Sequence, residues 1–231
     1  LHDQLGHNHT LLPHFAKYEN HWFVTISNAQ RTPLPDLRYL TTIYHGLDVN
    51  SMPYGEVADD YFVYFGRMVE DKGVLDAIET AKRAGVKLKL VGPHFEGEAA
   101  AAYWKEISQH IDGEQIEYLG SLGKDELFPI VSKAKAFINL INYQEAFGMV
   151  LIESMACGTP VIARRRGSIP EVIDHNGTGF VVETVDEAVE AVKNIEKISR
   201  SFCRTYTADR FGFTEYVNQY ERMLEGVLAG D

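Results

Sequence analysis

Residues 136–163 read AFINLINYQEAFGMVLIESMACGTPVIA and contain a complete strand–loop–helix–strand pattern. The apolar runs at 136–140 and 160–163 are typical of short buried strands. Between them, a glycine step at Gly148 precedes the helix-forming run MVLIESMA, which ends at Cys-Gly-Thr-Pro. Because two strands joined through one helix are usually parallel neighbours, this stretch predicts part of a parallel sheet.

The same alternation of strands and helices extends over residues 61–197. Predicted strands lie at 61–65, 88–91, 116–119, 136–140, 160–163 and 179–182, and predicted helices at 73–84, 98–110, 124–133, 149–156, 168–173 and 185–197. Short apolar strands that alternate with helices indicate a parallel sheet covered on both faces. We therefore predict a doubly wound, six-stranded α/β domain.

The two ends of the chain depart from this alternation. Predicted strands at 22–27 and 40–44 flank a short helical turn at 28–31, which is too little structure to form a core. We expect this part to be the remnant of another domain, followed by a linker at 48–60. One more amphipathic helix is predicted at 214–228, with no strand after it.

Composition restricts the classes of function. The 231 residues are 45% hydrophobic, and the net charge of −11 argues against binding to nucleic acid. Two cysteines are too few for a disulfide scaffold, so a reducing cytoplasm is the expected compartment. No apolar run is long enough for a transmembrane helix, and the histidine-rich start is unlike a signal peptide. Because the chain begins with Leu1, we expect an amino-terminal portion to be missing.

Charged loops follow two of the predicted strands. The sequence GRMVEDKG at 66–73 follows the first strand of the sheet, and Glu145 follows the fourth, eight residues before Glu153. In a parallel sheet, ligands bind at the carboxyl ends of the strands, where these loops would meet. Arginine and lysine suit a diphosphate, and the first amides of the helix after Gly148 suit an anion. A sugar nucleotide, with an anionic middle and hydroxyl groups at both ends, would fit this layout.

Each of these features also has an ordinary structural interpretation. Segment 145–160 could be an amphipathic helix with two solvated glutamates, and loop 66–73 could be a solvated turn. The loop is neither a Walker A sequence nor a dinucleotide-binding GxGxxG, which disfavours kinase-like and NAD-dependent functions. Three consecutive arginines at 164–166 fit a solvated loop and a phosphate-contacting patch equally well.

No metal site is predicted. Four histidines near the start of the chain match no zinc-binding spacing and have no cysteine beside them: His2, His7, His9 and His14. Asp59 and Asp60 are adjacent, unlike the Asp-x-Asp pairing expected of a metal-dependent nucleotide-sugar site. Cys157 is expected on the apolar side of its helix, as a core residue.

Three motifs in order resemble the retaining glycosyltransferases of family 4. They are Gly-Arg-x4-Lys-Gly at 66–73, Glu-Ala-Phe-Gly-x4-Glu-Ser-Met-Ala-Cys-Gly-Thr-Pro at 145–160 and Gly-Ser-Ile-Pro-Glu-Val-Ile at 167–173. The resemblance covers roughly residues 24–228, but residues 139–143 lack the usual Pro-Ser step, and His45 stands where Asn-Gly is common. It implies a GT-B fold, in which two Rossmann-like domains face each other across the active-site cleft.

The resemblance implies a division of the chain and roles for individual residues. Residues 1–48 would end the acceptor-binding domain, residues 49–213 would form the donor-binding domain, and residues 214–231 would return toward the acceptor domain. The implied catalytic residues are Glu145, Arg67, Lys72 and His2, and the implied donor-binding residues are Gly66, Leu122, Phe147, Gly148, Met149, Val150 and Glu153. The two cations would hold the diphosphate, Glu145 the sugar and Glu153 the ribose, while Leu122 would lie by the base.

The implied reaction moves a sugar from a nucleotide-diphosphate sugar to an acceptor hydroxyl, with retention of configuration and without a metal or other cofactor. UDP-, GDP- and ADP-type donors stay open, as do glycan, lipid and small-molecule acceptors. Two alternatives are a truncated donor-binding module without turnover and a GT-B sugar-nucleotide epimerase. The expected location is cytoplasmic, with peripheral attachment to a membrane left open.

Overall fold

A six-stranded parallel sheet is the centre of this computed structural model, which describes Lys17 and residues 21–229. The described strands are β1 (Phe23–Thr25), β2 (Tyr39–Thr42), β3 (Phe62–Phe65), β4 (Leu88–Val91), β5 (Ile116–Tyr118), β6 (Phe137–Asn139), β7 (Val161–Arg164) and β8 (Gly179–Val182). The large sheet has the order β5-β4-β3-β6-β7-β8, and all its neighbouring strands are parallel. The predicted doubly wound α/β fold is therefore confirmed.

The strand order changes direction once within the sheet. The chain runs outward from β3 through β4 to β5, then places β6 on the other side of β3 and continues to β7 and β8. The loops that leave β3 and β6 therefore depart in opposite directions along the sheet. A doubly wound sheet opens its ligand-binding crevice at this position, outside the carboxyl ends of the two strands.

Helices cover the sheet. They are α1 (Val74–Ala84), α2 (Glu98–Ser108), α3 (Lys124–Lys133), α4 (Met149–Ala156), α5 (Ile169–Val172), α6 (Val185–Asn194), α7 (Arg200–Phe211) and α8 (Phe213–Ala229). Helix α1 packs against α6, and α4 packs against α7. Every residue of β3, β6 and β7 is buried, as expected for strands with helices on both faces.

Several helical predictions need correction, and the helix predicted for 98–110 ends at Ser108. The α-helix predicted for 185–197 ends at Asn194, and a 3-10 turn, Ile195–Lys197, follows it. Helix α7 has no counterpart among the predicted helices. Its buried residues Cys203, Thr207 and Phe211 are four apart, and only the last is large and apolar, so the periodic hydrophobic signal is weak.

The segment before the large sheet is anchored to it. Strands β1 and β2 form a separate two-stranded parallel sheet, and residues 40–43 share a surface groove with α8. The predicted linker at 48–60 is partly packed, since Val49 and Met52 are buried in the hydrophobic core. The division of the chain at residues 48 and 213 stays a prediction. Within the described ranges, no helix has both the length and the apolar character needed to cross a membrane.

Candidate functional site

The loops after β3 and β6 touch each other at the point where the strand order changes direction. Gly73 has φ +65°, and a Cβ there would lie 1.9 Å from the carbonyl oxygen of Leu140. The amide of Asn142 donates to the carbonyl of Asp71 at 2.8 Å. Glycine at position 73 is therefore required both by its left-handed backbone and by the close approach of the second loop.

Three side chains from these loops form one cluster, defined here as the switch-point cluster: Lys72, Tyr143 and Glu145. The ammonium of Lys72 donates to the Tyr143 hydroxyl, and that hydroxyl donates to Oε2 of Glu145. Lys72 Nζ is 3.9 Å from Glu145 Oε2 and 4.5 Å from the centre of the Tyr143 ring. The structure thus brings together two of the residues indicated by the sequence motifs, and adds Tyr143, which no motif indicated.

Burial and the surrounding charges act on Lys72 in opposite directions. Burial lowers the pKa of Lys72, the carboxylate of Glu145 raises it, and the nearby charge of Arg67 lowers it further. Burial and the charge of Glu145 raise the pKa of Tyr143, so the phenol stays protonated. An anion placed between Lys72 and Arg67 would offset the burial and the repulsion that disfavour the ammonium.

The loop after β7 fixes the backbone of Glu145. The amide of Ser168 donates to the Glu145 carbonyl at 2.9 Å, and the amide of Gly167 donates to Oε1 of Gln144 at 2.6 Å. Gly167 has φ +55°, and a Cβ there would lie 2.1 Å from the Glu145 carbonyl oxygen. The Gly-Ser-Ile-Pro-Glu motif therefore acts as a backbone support for the residue that the resemblance assigns to the donor sugar.

Helix α4 begins directly beyond this cluster. Gly148 adopts φ +88° ahead of the helix, and the amides of Met149 and Val150 in its first turn have no acceptor within the helix. The Phe147 ring is buried, 5.2 Å from the His45 ring and 5.8 Å from the Phe211 ring. The side chain of Phe147 is thus part of the core, and only its backbone remains suited to a ligand.

The other implied donor-binding residues surround the cluster less closely. Gly66 is pressed against the next loop, since a Cβ on Gly92 would lie 1.8 Å from the Gly66 carbonyl oxygen. Arg67 is exposed, and Leu122 packs at the edge of the core. Glu153 is half-buried in α4, and burial raises its pKa while the charge of Lys124 lowers it. His2 lies outside the described residues.

The three arginines at the carboxyl end of β7 have internal partners. Arg164 is buried, donates to the Leu140 carbonyl at 3.0 Å and pairs with Asp76 at 2.7 Å. Arg165 and Arg166 pair with Glu183 at 2.9 and 3.6 Å. Arg164 therefore supports the loop that carries the site, which decides against a phosphate-contacting role for it. Sequence spacing held no signal for this pairing with Asp76, 88 residues away.

Neither cysteine nor histidine chemistry is built into the described site. Cys157 is fully buried, and burial raises the pKa of its thiol to about 12, so the predicted core role fits. Among Lys17 and residues 21–229, no group of three or more His, Cys, Asp or Glu side chains is arranged to hold a metal ion. His7, His9 and His14, like His2, lie outside these residues.

Residues 55–220 match the family model described as glycosyl transferases group 1. N-acetyl-alpha-D-glucosaminyl L-malate synthase of Bacillus anthracis is 33% identical over 131 residues, which cover 53% of this chain and 33% of that protein. A probable sucrose-phosphate synthase of Thermosipho melanesiensis is 35% identical over 105 residues, covering 42% of this chain and 25% of that protein. The chain therefore spans about a third or less of the length of these relatives.

Solved structures with the same architecture have lower sequence identity. The crystal structure of Anabaena Alr3699/HepE in complex with UDP has a TM-score of 0.83 and 22% identity, covering 98% of this chain and 71% of that chain. Sucrose-phosphate synthase from Thermosynechococcus elongatus has a TM-score of 0.79 and 21% identity, covering 99% of this chain and 64% of that one. These similarities establish the fold, which is of the predicted GT-B type.

Proposed function

The chain belongs to the glycosyl transferases group 1 family, and we propose that it binds a nucleotide-diphosphate sugar for transfer to an acceptor hydroxyl. The donor would lie in the crevice outside β3 and β6. The reaction would retain the anomeric configuration, which the family resemblance implies, and would need no metal. Most of each relative's sequence lies outside the region that this chain matches, and a region of that kind would complete the acceptor site.

The observation that supports this function best is the switch-point cluster. Breaking the bond between the sugar and the phosphate leaves the bonding electrons on the diphosphate, while positive charge grows on the sugar. Lys72 and Arg67, whose charges act on each other, would neutralise the departing diphosphate, and Glu145, 3.9 Å from Lys72, would hold the sugar. Fixed charges aimed at a developing charge are an effective source of rate enhancement.

The rest of the proposed donor site follows α4. Amides of Phe147, Gly148, Met149 and Val150 would contact the sugar and phosphates, and Glu153 would accept from the ribose hydroxyls. Leu122 and Gly66 would lie by the base and the phosphates, and His2 would act near the reacting carbon. UDP is the first nucleotide to test, because Anabaena Alr3699/HepE has been solved with UDP-glucose. GDP and ADP complete the set.

The proposed function is tested by removing the cations one at a time. We expect Lys72→Ala and Arg67→Ala each to weaken binding of the nucleoside diphosphate at least tenfold, since each loses a charge-assisted contact. Sugar transfer by the complete enzyme should fall by orders of magnitude. Isothermal titration calorimetry on this chain, with circular dichroism to verify folding, measures the first effect. Lys193→Ala, at an exposed pair with Glu190, is the control.

Unchanged affinity and turnover in both variants would overturn the assignment of the leaving-group contacts. A second candidate function is a donor-binding module without turnover, because the switch-point cluster and the start of α4 account for donor contacts alone. Nucleotide-sugar binding without transfer by this chain would support that candidate. Conversion of the donor into a different nucleotide sugar when no acceptor is present would instead indicate an epimerase.

A further inference from the structure

Tyr143 occupies the centre of the switch-point cluster, although no role follows for it from the family resemblance. It belongs to the 139–143 segment that departs from the family pattern. Its hydroxyl accepts from the Lys72 ammonium and donates to the Glu145 carboxylate. A phenol has one proton to donate and lone pairs to accept with, so this arrangement satisfies both neighbours at once.

We propose that Tyr143 is a positioning residue that keeps the loose ion pair of Lys72 and Glu145 from closing to hydrogen-bond distance. This role rests on the proposed function, because its benefit is to leave both charged groups available to a nucleotide-diphosphate sugar. The phosphate oxygens would replace the phenol as the acceptor of the hydrogen bond from Lys72. The sugar hydroxyls would replace the phenol as donors to Glu145. The ligand then displaces contacts to a neutral hydroxyl rather than a hydrogen-bonded ion pair.

The geometry of the two charged groups supports this role. Lys72 Nζ and Glu145 Oε2 are 3.9 Å apart, beyond hydrogen-bond distance, although their side chains are only 20% and 15% exposed. A direct pair in such a sheltered place would close to about 2.7–2.9 Å and would be stronger than an exposed pair. The Tyr143 ring, 4.5 Å from Nζ, adds a cation–π contact that holds the ammonium in its present place.

Tyr143→Phe tests the contribution of the hydroxyl separately from that of the ring. The variant keeps the ring beside Lys72 but removes the group between the charges, so Lys72 and Glu145 are free to pair. We expect the dissociation constant of the tightest binder among UDP, GDP and ADP to rise about tenfold, because the ligand must now break that pair. In a Glu145→Gln background the carboxylate that Tyr143 keeps apart from Lys72 is gone, and Tyr143→Phe should change the constant less than twofold.

Calorimetry on the four proteins of this double-mutant cycle decides between the outcomes. An equal loss of affinity in both backgrounds would mean that the hydroxyl contacts the nucleotide directly, and it would overturn the positioning role. No loss in either background would overturn it as well. If the unaltered chain binds none of the three nucleoside diphosphates, the proposed function fails first, before any variant is compared.

The structure of the Tyr143→Phe protein gives an independent measurement. We expect Nζ of Lys72 and a carboxylate oxygen of Glu145 to approach within direct hydrogen-bond distance. A separation that stays near the present 3.9 Å would contradict the role assigned to the hydroxyl. Thermal unfolding should change little, because the ring and its packing are retained, so a loss of affinity would not reflect a loss of folding.

Discussion

Folding partly buries the carboxylate of Glu153, which disfavours its charged form. Burial raises its pKa, so the folded protein holds this proton at pH values where the unfolded chain has already lost it. Ionised Glu153 therefore lowers stability, an effect that develops as pH rises through the ordinary pKa of glutamate and is complete above the raised pKa. A half-buried titratable group that lowers the stability of the fold is a candidate for a functional role, here the proposed contact to ribose.

Glu153→Gln should separate stability from function. At pH 7.5 we expect a higher melting temperature than that of the unaltered chain, and the difference should vanish below about pH 4, where Glu153 is protonated in both states. Nucleoside diphosphate binding should weaken about tenfold, because a neutral amide accepts a weaker hydrogen bond from ribose. Scanning calorimetry across pH and titration calorimetry measure the two effects.

The matched control for this substitution is Glu221→Gln, at an exposed position on α8. Neither its melting temperature nor its nucleotide affinity should change appreciably, since an exposed carboxylate pays no desolvation cost. A Glu153→Gln protein that melts at the same temperature and binds nucleotide as tightly as the original would remove Glu153 from the proposed site.

At the scale of elements, helix α7 joins parts of the chain that no strand connects. Arg204 donates to the Ala156 carbonyl at 2.6 Å, at the end of α4, and to the Val49 carbonyl at 2.9 Å, in the linker. Arg200 similarly donates to the carbonyls of Ala134 at 2.8 Å and Gly55 at 2.7 Å. Guanidinium groups suit this task because one side chain can satisfy several carbonyls that would otherwise be left unpaired.

Arg204→Ala should destabilise the chain by about 2–4 kcal/mol, because charge-assisted bonds are lost and buried carbonyls are left unsatisfied. Arg204→Lys should restore only part of this, since one ammonium cannot reproduce the planar fork. Urea unfolding followed by circular dichroism measures the change. The control Arg222→Ala, which removes an exposed pair with Glu215, should cost less than about 1 kcal/mol. Equal effects of the two alanine substitutions would contradict this account of α7.

The same helix shows why sequence predicts some elements and misses others. Strands β4 and β8 have the predicted bounds because short, mostly apolar runs between turn residues identify strands. The buried stripe of α7 contains Cys203 and Thr207, and Arg200 and Arg204 bond to backbone carbonyls, so hydrophobic periodicity does not reveal the helix. Ser199, which accepts from the Phe202 amide at 3.2 Å, is the local signal that could have located its start.

The candidate site likewise has parts that the sequence predicts and parts that it does not. The rule that loops meet at the carboxyl ends of parallel strands was enough to predict that Lys72 and Glu145 lie close together. The Tyr143 bridge and the contact between Gly167 and Glu145 could not be predicted in this way. Both depend on rotamers and backbone turns in loops, which periodicity does not describe, and the second joins segments far apart in the chain.

At the scale of the whole molecule, Glu171 connects the amino-terminal segment to the large sheet. Its carboxylate accepts from the amides of Asn28 at 2.8 Å and Ala29 at 2.7 Å, and from the Tyr44 hydroxyl at 2.9 Å. Glu171 lies on α5, which begins directly after Ser168. The amide of Ser168 donates to the carbonyl of Glu145. One short helix thus supports the proposed sugar-binding residue and also the segment assigned to the acceptor domain.

Glu171→Ala should release this connection while leaving the large sheet folded. Three hydrogen bonds to a charged acceptor are lost, so we expect a local destabilisation of about 2–3 kcal/mol in the segment that contains β1 and β2. Amide hydrogen exchange at Asn28 and Ala29 should then accelerate roughly 30- to 150-fold, since each 1.4 kcal/mol corresponds to a factor of ten. Exchange within β3 and β6 should be unchanged.

Mass spectrometry or NMR of exchanging amides can resolve the two regions, and Glu183→Ala provides the control. Glu183 forms ion pairs with Arg165 and Arg166 instead, so its loss should leave exchange at residues 28 and 29 unaltered. Uniformly faster exchange in Glu171→Ala would show that Glu171 stabilises the whole fold. Slow exchange at both amides would show that the connection is maintained by the packing of Tyr44 against Phe147 and Phe211 instead.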